Sequence, residues 1–340
     1  MTQTENPSTG KRISAAAPAK PYSRILGIGS YRPSRVVSNE EMCTIIDSTP
    51  DWIQQRTGIT ERRWATEDET VKVMSLGAAR QAIERSGIAP EQIEAVIVAT
   101  VSHMHQTPGI APTIATELGA EGAAAYDVSA ACAGFCYALA QADGLVRVAA
   151  AEHVLVIGVE RLSQLTNFED RSTAFLFADG AGAAVVGPSD TPGIGPVVWG
   201  SSGSQADVIG QTQAWDEYSG GPQPKLYMEG QKVFRWASTT VAKKTVEMLD
   251  RAGLTTDDLD LFIPHQANNR ITDAMIRTLR LPEHITVARD IITQGNASAA
   301  SIPLAVERLY ENGQARSGQL ALIVGFGAGL VFAGQIIEMP

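Results

Sequence analysis

A long internal repeat constrains the fold of this chain more than any other feature of its sequence. Residues 86–98 match residues 252–264 at an offset of 166, and each copy follows an amphipathic helix and runs into a strand-like apolar stretch. Further landmarks recur in the same order: residues 129–134 match 295–300 at that offset, and residues 154–158 fall within one residue of 322–325. A repeat of this length predicts two related halves that share one order of helices and strands.

The apolar runs within each half predict a layered α/β architecture. Residues 95–101 and 154–159 are almost continuously apolar, which is typical of strands covered by helices on both faces. Because 44% of its residues are hydrophobic, the chain can form a large core. The glycine-containing run 180–186 also resembles 327–333, but at an offset of 147, so we expect 19 additional residues near 160–178 in the first half.

Charge, apolar length and cysteine content exclude several classes of protein. The chain carries 27 Lys and Arg against 37 Asp and Glu, a net charge of −10, which disfavours sequence-independent nucleic-acid binding. Its longest apolar stretch, residues 320–334, is shorter than the roughly 20 residues that a membrane-spanning helix needs. Three cysteines without paired spacing predict neither a disulfide framework nor a zinc site. We therefore expect a soluble cytoplasmic protein, with residues 1–21 as a flexible tail that lacks the apolar core of a secretory signal.

Cys132 is the first candidate for chemistry. It follows the strand-like run that ends near Val128 and precedes an apolar helix that continues to Ala140. The N-terminus of a helix presents free N–H groups and a partial positive charge, which predicts a lowered pKa and a nucleophilic thiolate. The alternative is a small buried hydrophobic residue, which is the more common role of a single cysteine.

His265 and Asn296 are the second and third candidates. His265 follows the apolar strand 260–263, and Asn296 lies in the loop that the repeat makes equivalent to the Cys132 loop. Each has a structural alternative, since a buried histidine is often only hydrogen-bonded and an asparagine often caps a helix. Because the ends of parallel strands meet at one edge of a sheet, we expect the three side chains to converge. A thiol, an imidazole and a carboxamide together suit thioester chemistry.

Several longer blocks carry a resemblance to a known family. They are residues 51–53, 56–59, 127–135, 264–271, 295–303 and 325–329. Through them the chain resembles the β-ketoacyl-acyl carrier protein synthase III family, the initiating condensing enzymes of the thiolase superfamily, from about Tyr22 to Pro340. The resemblance implies a thiolase-like fold, an internally duplicated α-β-α-β-α architecture with pseudo-twofold symmetry. It also implies an N-terminal half, 22–190, that carries the nucleophilic cysteine, and a C-terminal half, 191–340, that carries the histidine and the asparagine.

The same resemblance implies a mechanism in two steps. Cys132 accepts the acyl group of an acyl-CoA while the backbone N–H groups of Cys132 and Ala328 bind the oxyanion. His265 and Asn296 then stabilise the enolate that malonyl-acyl carrier protein forms when it loses CO2, and this carbanion attacks the acyl-cysteine. The product is a 3-oxoacyl-acyl carrier protein, which initiates fatty-acid synthesis. The resemblance further implies a homodimer that needs no metal and no cofactor besides these substrates.

Binding residues follow from the resemblance, position by position. The implied CoA-binding residues are Trp52, Arg56, Arg171, Gly230, Phe234 and Asn268. The implied acyl-pocket residues are Leu162, Phe177, Met228 and Thr107, the last contributed across the dimer interface. Docking of the acyl carrier protein is implied for Arg235, Arg270 and Arg277, with Arg280 on the same helix. The alternatives are ordinary packing for the tryptophan and a solvated helix face for each single arginine.

Thr107 predicts which starters the enzyme accepts. Acetyl-preferring members of the family often have phenylalanine at this position, so a threonine leaves room for about one or two more methyl groups. We expect branched or longer starters such as isobutyryl-CoA to be accepted alongside acetyl-CoA.

Three other functions are compatible with parts of this sequence. A starter-unit ketosynthase that primes an aromatic polyketide pathway would use the same residues. A thiolase-fold acyltransferase would use the acyl-cysteine with another acceptor. A non-catalytic binding protein of the same fold is disfavoured because Cys132, His265 and Asn296 are all present.

Overall fold

In the described part of the chain, two five-stranded sheets form the centre of the fold. The computed structural model describes residues 17, 18 and 20–340, so the tail predicted for residues 1–21 lies largely outside the described residues. The strands are β1 (Tyr22–Tyr31), β2 (Arg35–Ser38), β3 (Glu61–Trp64), β4 (Ala95–Ala99), β5 (Ala124–Val128), β6 (Val154–Arg161), β7 (Asp179–Ser189), β8 (Val198–Ser201), β9 (Ile209–Gln211), β10 (Leu226–Met228), β11 (Leu261–Pro264), β12 (Thr286–Val287), β13 (Leu320–Gly327) and β14 (Val331–Glu338).

The described residues also form ten α-helices, which connect and cover the strands. They are α1 (Asn39–Ile45), α2 (Pro50–Thr57), α3 (Val71–Ser86), α4 (Ala111–Leu118), α5 (Gly134–Arg147), α6 (Gly230–Trp236), α7 (Ala242–Ala252), α8 (Asn269–Leu279), α9 (Ile291–Gln294) and α10 (Ser301–Glu311). A π-helical segment, Ala237–Val241, joins α6 and α7 into one continuous helix. No helix among the described residues combines the length and the apolar character needed to cross a membrane.

The two large sheets have the same topology, which confirms the internal duplication. The strand order is β1-β7-β6-β4-β5 in the first sheet and β8-β14-β13-β11-β12 in the second. In each sheet the last three strands of that order are parallel, and the first two are added through antiparallel pairings. The pseudo-twofold relation between the halves therefore extends over whole sheets.

Helices pack on both faces of each large sheet and give the five layers implied by the resemblance. α3 and α4 cover the outer face of the first sheet, where Met74 and Val96 share one apolar core. α7 and α8 cover the second sheet in the same way, with Met275 and Phe262 in a common core. α5 and α10 lie between the sheets and share a third core with both. Because alternate strand residues face opposite layers, both faces need apolar side chains, which explains the continuous apolar runs.

The predicted insertion in the first half is present but shorter than expected. Residues 162–178, 17 residues in all, separate β6 from β7, whereas three residues separate β13 from β14. The first half therefore carries 14 additional residues at this point instead of 19. The prediction was wrong because it aligned glycines with different positions: Gly180 lies inside β7, while its assumed counterpart Gly327 ends β13.

The loop after β5 and the loop after β12 match each other in the structure. The offset between them is one residue larger than the offset of 166 found in the sequence. Ala131 and Ser298 each adopt a left-handed backbone conformation with φ of 45°, and the next helices begin at Gly134 and Ser301. The structural counterpart of Cys132 is therefore not Ser298, as the offset of 166 predicted. Both loops nevertheless make the same kind of turn at the same edge of their sheets.

Candidate active site

A tight turn presents Cys132 at the C-terminal edge of the first sheet. The 3-10 turn Ala131–Ala133 lies between β5 and α5 and holds the cysteine. Ala131 has a φ of 45°, a conformation that costs free energy in residues other than glycine and that makes the turn sharp. The end of β13 packs directly on this turn, since a Cβ atom on Gly327 would lie 2.9 Å from Cys132 Cβ and 3.1 Å from Sγ. Only a glycine fits at that position.

The Cys132 thiol does not have the lowered pKa that the sequence predicted. Burial is the main cause that raises its pKa from 9.0 to about 12, although a hydrogen bond with Ser298 opposes the shift; the Glu160 carboxylate adds to it. The turn that holds the thiol runs directly into α5 at Gly134. Cys132 is only half-buried by its exposed surface, but the protein atoms around the sulfur desolvate the thiolate. Loss of the thiol proton at neutral pH therefore requires a proton acceptor within the site.

Ser298 lies beside Cys132 and is bonded to Asn296, although the prediction from the sequence did not include it. It lines the same cavity as Cys132, and its hydroxyl donates to Glu160 Oε1 at 3.1 Å. Its backbone N–H donates to Asn296 Oδ1 at 2.9 Å, which leaves Asn296 Nδ2 as the donor available to a substrate. The signal was present in the sequence, because this serine lies two residues after Asn296 in one of the blocks that carry the resemblance.

The insertion of the first half holds Asn296 in place. The Asn296 backbone N–H donates to Leu176 O at 2.9 Å, and its carbonyl accepts from Ala178 N at 2.9 Å. These bonds form a parallel bridge between Phe177 and Asn296, so the two halves share a short piece of sheet. The carboxamide is buried as well, which limits its rotation.

His265 lies directly after β11 and is almost completely buried. Burial lowers its pKa from 6.5 to about 3, so the imidazole is neutral at neutral pH. Nδ1 lies 2.7 Å from Ser301 Oγ, and that oxygen also accepts the Gln266 N–H at 3.4 Å. Ser301 can donate its own hydrogen to Nδ1, and in that tautomer the ring carries its hydrogen on Nε2. The Phe326 ring packs against the imidazole with a centroid distance of 5.3 Å and fixes its orientation.

One short segment brings the three predicted catalytic residues together. Residues 296–301 contain Asn296 itself, a serine that lines the cavity beside Cys132 and a serine that hydrogen-bonds His265. The nucleophile belongs to the first sheet and the other two residues follow the second, so the site lies where the two halves meet.

A cavity of about 960 Å³ opens onto Cys132. Ala328 and Ser298 line it together with Cys132, so the residue whose backbone N–H is expected to bind an oxyanion shares this cavity with the nucleophile. Two predicted acyl-pocket residues, Leu162 and Phe177, also line this cavity. Further apolar lining residues, which the sequence analysis did not name, are Leu165, Ile209, Trp215 and Leu226.

The other two predicted acyl-pocket residues lie elsewhere in the described chain. Met228 packs between the cores of the second sheet and of the insertion and does not line the cavity. Thr107 is exposed and is also absent from the lining of its own chain's cavity. A role for Thr107 in the pocket therefore depends on a second copy of the chain, as the sequence analysis expected.

Four of the six predicted CoA-binding residues lie together at the surface. The guanidinium carbons of Arg56 and Arg171 lie 5.4 Å and 5.9 Å from the centroid of the Trp52 ring. Asn268 Nδ2 donates to the Arg56 carbonyl at 3.1 Å, and its Oδ1 caps α8. An aromatic face with two guanidinium groups suits a nucleotide base and its phosphates. The remaining two residues, Gly230 and Phe234, lie on α6.

The arginines predicted to dock a carrier protein are exposed on α6 and at the two ends of α8. Arg235, Arg270, Arg277 and Arg280 are all exposed, and none forms an ion pair within the described residues. Thr278 on α8 donates to the Ser238 carbonyl at 3.1 Å, which joins the two helical elements that carry these arginines. Their charges are therefore free to meet an acidic partner.

Proteins of known family resemble this chain over nearly its whole length. The profile of 3-oxoacyl-[acyl-carrier-protein] synthase III matches residues 126–203, and the profile of the C-terminal region of that synthase matches residues 249–339. The chain is 56% identical to the β-ketoacyl-[acyl-carrier-protein] synthase III of Streptomyces glaucescens, over 96% of this chain and 100% of that protein. It is 47% identical to the mycobacterial β-ketoacyl-[acyl-carrier-protein] synthase III of Mycobacterium avium, over 93% and 95% of the two chains.

Solved structures resemble it closely as well. The priming β-ketosynthase from the R1128 polyketide biosynthetic pathway has a TM-score of 0.93 at 49% identity, covering 97% of this chain and 99% of that one. The 3-oxoacyl-[acyl-carrier-protein] synthase III of Aquifex aeolicus has a TM-score of 0.87 at 36% identity, covering 93% and 99%. These likenesses confirm the thiolase-like fold class inferred from the sequence.

Proposed function

The chain belongs to the 3-oxoacyl-[acyl-carrier-protein] synthase III family, and from that premise we propose the roles of its residues and its substrates. It is a condensing enzyme of the acyltransferase type that performs the initiating condensation of fatty-acid synthesis. Its proposed substrates are an acyl-CoA starter and malonyl-acyl carrier protein, and its product is a 3-oxoacyl-acyl carrier protein. The observation that carries the proposal is the cavity that opens onto Cys132, which gives a thioester access to the thiol.

In the proposed first half-reaction, Cys132 attacks the thioester carbon of the acyl-CoA. The backbone N–H groups of Cys132 and Ala328 bind the oxyanion, because both residues line the cavity beside the reacting carbon. The CoA base stacks on Trp52, with Arg56 and Arg171 beside it for the phosphates. CoA leaves, and an acyl-Cys132 intermediate remains.

In the proposed second half-reaction, the carrier-bound malonyl group loses CO2 beside Cys132, where the buried His265 and Asn296 lie next to the cavity without lining it. His265 Nε2 and Asn296 Nδ2 donate hydrogen bonds to its thioester oxygen and stabilise the enolate. A neutral imidazole suits this role, since it can donate from Nε2 without removing a proton from the substrate. The carbanion attacks the acyl-Cys132 carbonyl, and the sulfur leaves with its electron pair. Because decarboxylation supplies the carbanion, the reaction uses neither a metal nor a redox cofactor.

The proposed catalytic roles are divided between the two duplicated halves of the chain. Residues 22–190 carry the nucleophile, and residues 191–340 carry the histidine and the asparagine. The exposed Arg235, Arg270 and Arg277 are the proposed docking surface for the acidic acyl carrier protein.

We also place this enzyme in a homodimer. β5 is an edge strand of the first sheet that pairs only with β4 in the described chain, and its Ala124 and Tyr126 are exposed. An unpaired sheet edge is a surface at which a second copy can add its own strand. The exposed position of Thr107, outside the cavity of its own chain, supports the same arrangement.

The proposed starters are acetyl and short branched acyl groups. A cavity of about 960 Å³ exceeds what an acetyl group needs, and a threonine at position 107 does not fill it. A second candidate function is the priming of a polyketide pathway by the same two half-reactions. The 49% identity to a priming β-ketosynthase favours this alternative over the other functions considered.

The first half-reaction is tested by mass spectrometry of the intact protein and its peptides after incubation with a panel of acyl-CoAs. We expect an acyl mass on the Cys132 peptide of the wild type and none in Cys132→Ala. Cys43→Ala, which removes a half-buried cysteine outside the cavity lining, is the matched control and should label normally. If no acyl-CoA labels Cys132, the proposal of a CoA-primed synthase is wrong.

The second half-reaction is tested by release of labelled CO2 from malonyl-acyl carrier protein. We expect Asn296→Ala to keep acyl labelling of Cys132 but to release CO2 roughly 100- to 1000-fold more slowly, because one enolate donor is lost. Loss of labelling together with CO2 release would instead assign Asn296 to the first half-reaction.

A further inference from the structure

Glu160 is a buried carboxylate to which the proposed mechanism gives no role. It lies near the end of β6 and its side chain is inaccessible to solvent. Oε2 accepts the Ser102 hydroxyl at 2.6 Å and the Val101 N–H at 3.1 Å, and Thr100 adds a weaker bond at 3.4 Å. Oε1 accepts the Ser298 hydroxyl at 3.1 Å. These donors fix the carboxylate with one oxygen aimed at the residue that touches the nucleophile.

No positive charge neutralises Glu160 within the described residues. The neighbouring Arg161 turns its guanidinium to the Thr66 carbonyl, at 3.0 Å. Asp179, on the adjacent strand β7, is engaged by hydrogen bonds of its own. The titratable group that faces Glu160 from the turn Ala131–Ala133 is the Cys132 thiol. The carboxyl and the thiol thus form an isolated pair of proton-binding groups with one hydroxyl between them.

The carboxyl of this pair titrates near neutral pH, whereas the thiol holds its proton more strongly. Burial is the main cause that raises the pKa of Glu160 from 4.5 to about 7, against the effect of its four hydrogen bonds. A group that titrates near the working pH can both accept and return a proton during one catalytic cycle.

His265 is poorly suited to accept the Cys132 proton. Its Nδ1 is engaged by Ser301, and its Nε2 carries the hydrogen that it donates to the substrate. Its buried ring also resists protonation, since its pKa is about 3. A proton acceptor for the thiol must therefore lie elsewhere in the site.

We propose, on the basis of the function proposed above, that Glu160 takes up the Cys132 proton through Ser298 and returns it at the end of the cycle. The path runs from Cys132 Sγ to Ser298 Oγ and on to Glu160 Oε1. Because Glu160 reaches the thiol only through Ser298, it is a positioning residue.

The proton and electron balance of this cycle closes. In the first half-reaction the S–H bond of Cys132 breaks, its proton passes to Ser298 Oγ, and the proton of Ser298 passes to Glu160 Oε1. The sulfur electron pair forms the bond to the acyl carbon, and CoA leaves as a thiolate that takes a proton from solvent. In the second half-reaction the bond between sulfur and acyl carbon breaks, the sulfur keeps the pair, and the proton returns from Glu160 along the same path. One solvent proton is consumed per turnover, and it ends on CoA.

The test measures alkylation of Cys132 by iodoacetamide as a function of pH, read from the Cys132 peptide by mass spectrometry. For the wild type we expect a rate that rises as Glu160 ionises near pH 7 and then levels off. For Glu160→Gln we expect a rate roughly 100-fold lower near pH 7.5 that keeps rising about tenfold per pH unit, because only hydroxide then removes the proton.

The competing interpretation predicts the opposite sign. If Glu160 acts only as a buried negative charge, its removal lowers the pKa of Cys132 and speeds alkylation at neutral pH. Faster alkylation of Glu160→Gln, or a retained plateau, would therefore overturn the proposal. Ser298→Ala is a second test variant, because it breaks the proton path while Glu160 stays in place. Its alkylation rate should also show no plateau.

Ser102→Ala is the matched control. It removes a hydrogen bond that stabilises the Glu160 carboxylate but leaves the path to Cys132 intact. We expect its plateau to stay within about twofold of the wild type while the midpoint of the rise moves to higher pH, because the ionised carboxylate has lost a donor. A midpoint that stays unchanged would assign the titration to another group and contradict the proposal.

Alkylation needs no acyl-CoA, so this test is independent of the proposed function. If no acyl-CoA labels Cys132 but the alkylation profiles are as expected, the proton path stands and the proposed function fails. If acyl labelling succeeds and the alkylation profiles do not change, the proton path is wrong and the proposed function stands.

Discussion

At the scale of single residues, the proposed substrate range depends on position 107, which is exposed in its own chain. We expect Thr107→Phe to lower kcat/KM for isobutyryl-CoA relative to acetyl-CoA by about 10- to 200-fold, because an aromatic ring would fill the space of one or two methyl groups. Initial rates with the two starters measure this ratio. Thr44→Phe, which changes an exposed threonine on α1, should leave it unchanged. An unchanged ratio in Thr107→Phe would show that position 107 does not reach the acyl group.

At the same scale, sequence and structure differ most over buried charge. The positions of Cys132 and His265 could be predicted because each follows a strand in a recognisable block, and that of Asn296 because the repeat matches its loop with the Cys132 loop. Glu160 and the raised pKa of the thiol could not, since the groups that surround Glu160 come from Ser102 and Ser298, 58 and 138 residues away along the chain. Desolvation is a property of the assembled site, and a residue at the end of an apolar run gives no sign of it.

At the scale of secondary structure elements, Gly158 controls the fit of β6 against the second half. A Cβ atom at this position would lie 2.3 Å from the Ala299 carbonyl oxygen, which belongs to the turn that carries Ser298. We expect Gly158→Ala to lower the free energy of unfolding by about 1–3 kcal/mol and to slow acylation, because the turn must move. Urea unfolding and the acyl-CoA labelling rate measure the two effects.

Gly144, in the last turn of α5, is the matched control for that substitution. It is exposed, and a Cβ atom there would meet nothing within 4 Å. Gly144→Ala should raise the free energy of unfolding by about 0.5–1 kcal/mol, because alanine favours the helix, and should leave acylation unchanged. Equal stabilities of the two variants would contradict the close fit at Gly158.

The elements themselves were largely predictable, and the register between the two halves was not. Long apolar runs correctly indicated β4, β6 and β11, because both faces of these strands are buried. The match of glycines between the two halves was misleading, because these glycines lie where two segments pack closely and not at equivalent positions of the fold. A Cβ atom on Gly182 would meet Pro303, whereas one on Gly327 would meet Cys132, so similar glycine patterns serve two different contacts.

At the scale of the whole molecule, Glu160 links stability to pH. Its pKa in the folded protein is raised from 4.5 to about 7, so its contribution to stability is fully present below pH 4.5 and is lost as the pH rises through 7. We expect the free energy of unfolding of the wild type, relative to Glu160→Gln, to fall by about 3 kcal/mol between pH 4.5 and pH 8. Urea unfolding of both proteins across this range measures the difference.

The comparison with Glu160→Gln isolates this carboxyl from other titrating groups. Buried His265 acts with the opposite sign, because its pKa is lowered to about 3 and stability is lost as the pH falls below 6.5. Asp179 acts with the same sign as Glu160, since burial raises its pKa to about 6. Both groups are present in both proteins and cancel in the difference. A difference that does not change with pH would mean that folding leaves the pKa of Glu160 unchanged.

The insertion between β6 and β7 couples properties that in most enzymes vary independently. Its Leu162 and Phe177 line the cavity, its Arg171 lies over the Trp52 ring, and its backbone pairs with Asn296. If the proposed roles hold, exchange of residues 162–178 between homologues alters the range of starters, the affinity for CoA and the orientation of the Asn296 carboxamide together. We therefore expect that related enzymes diverge by exchanging this whole segment and not by changing its residues one at a time.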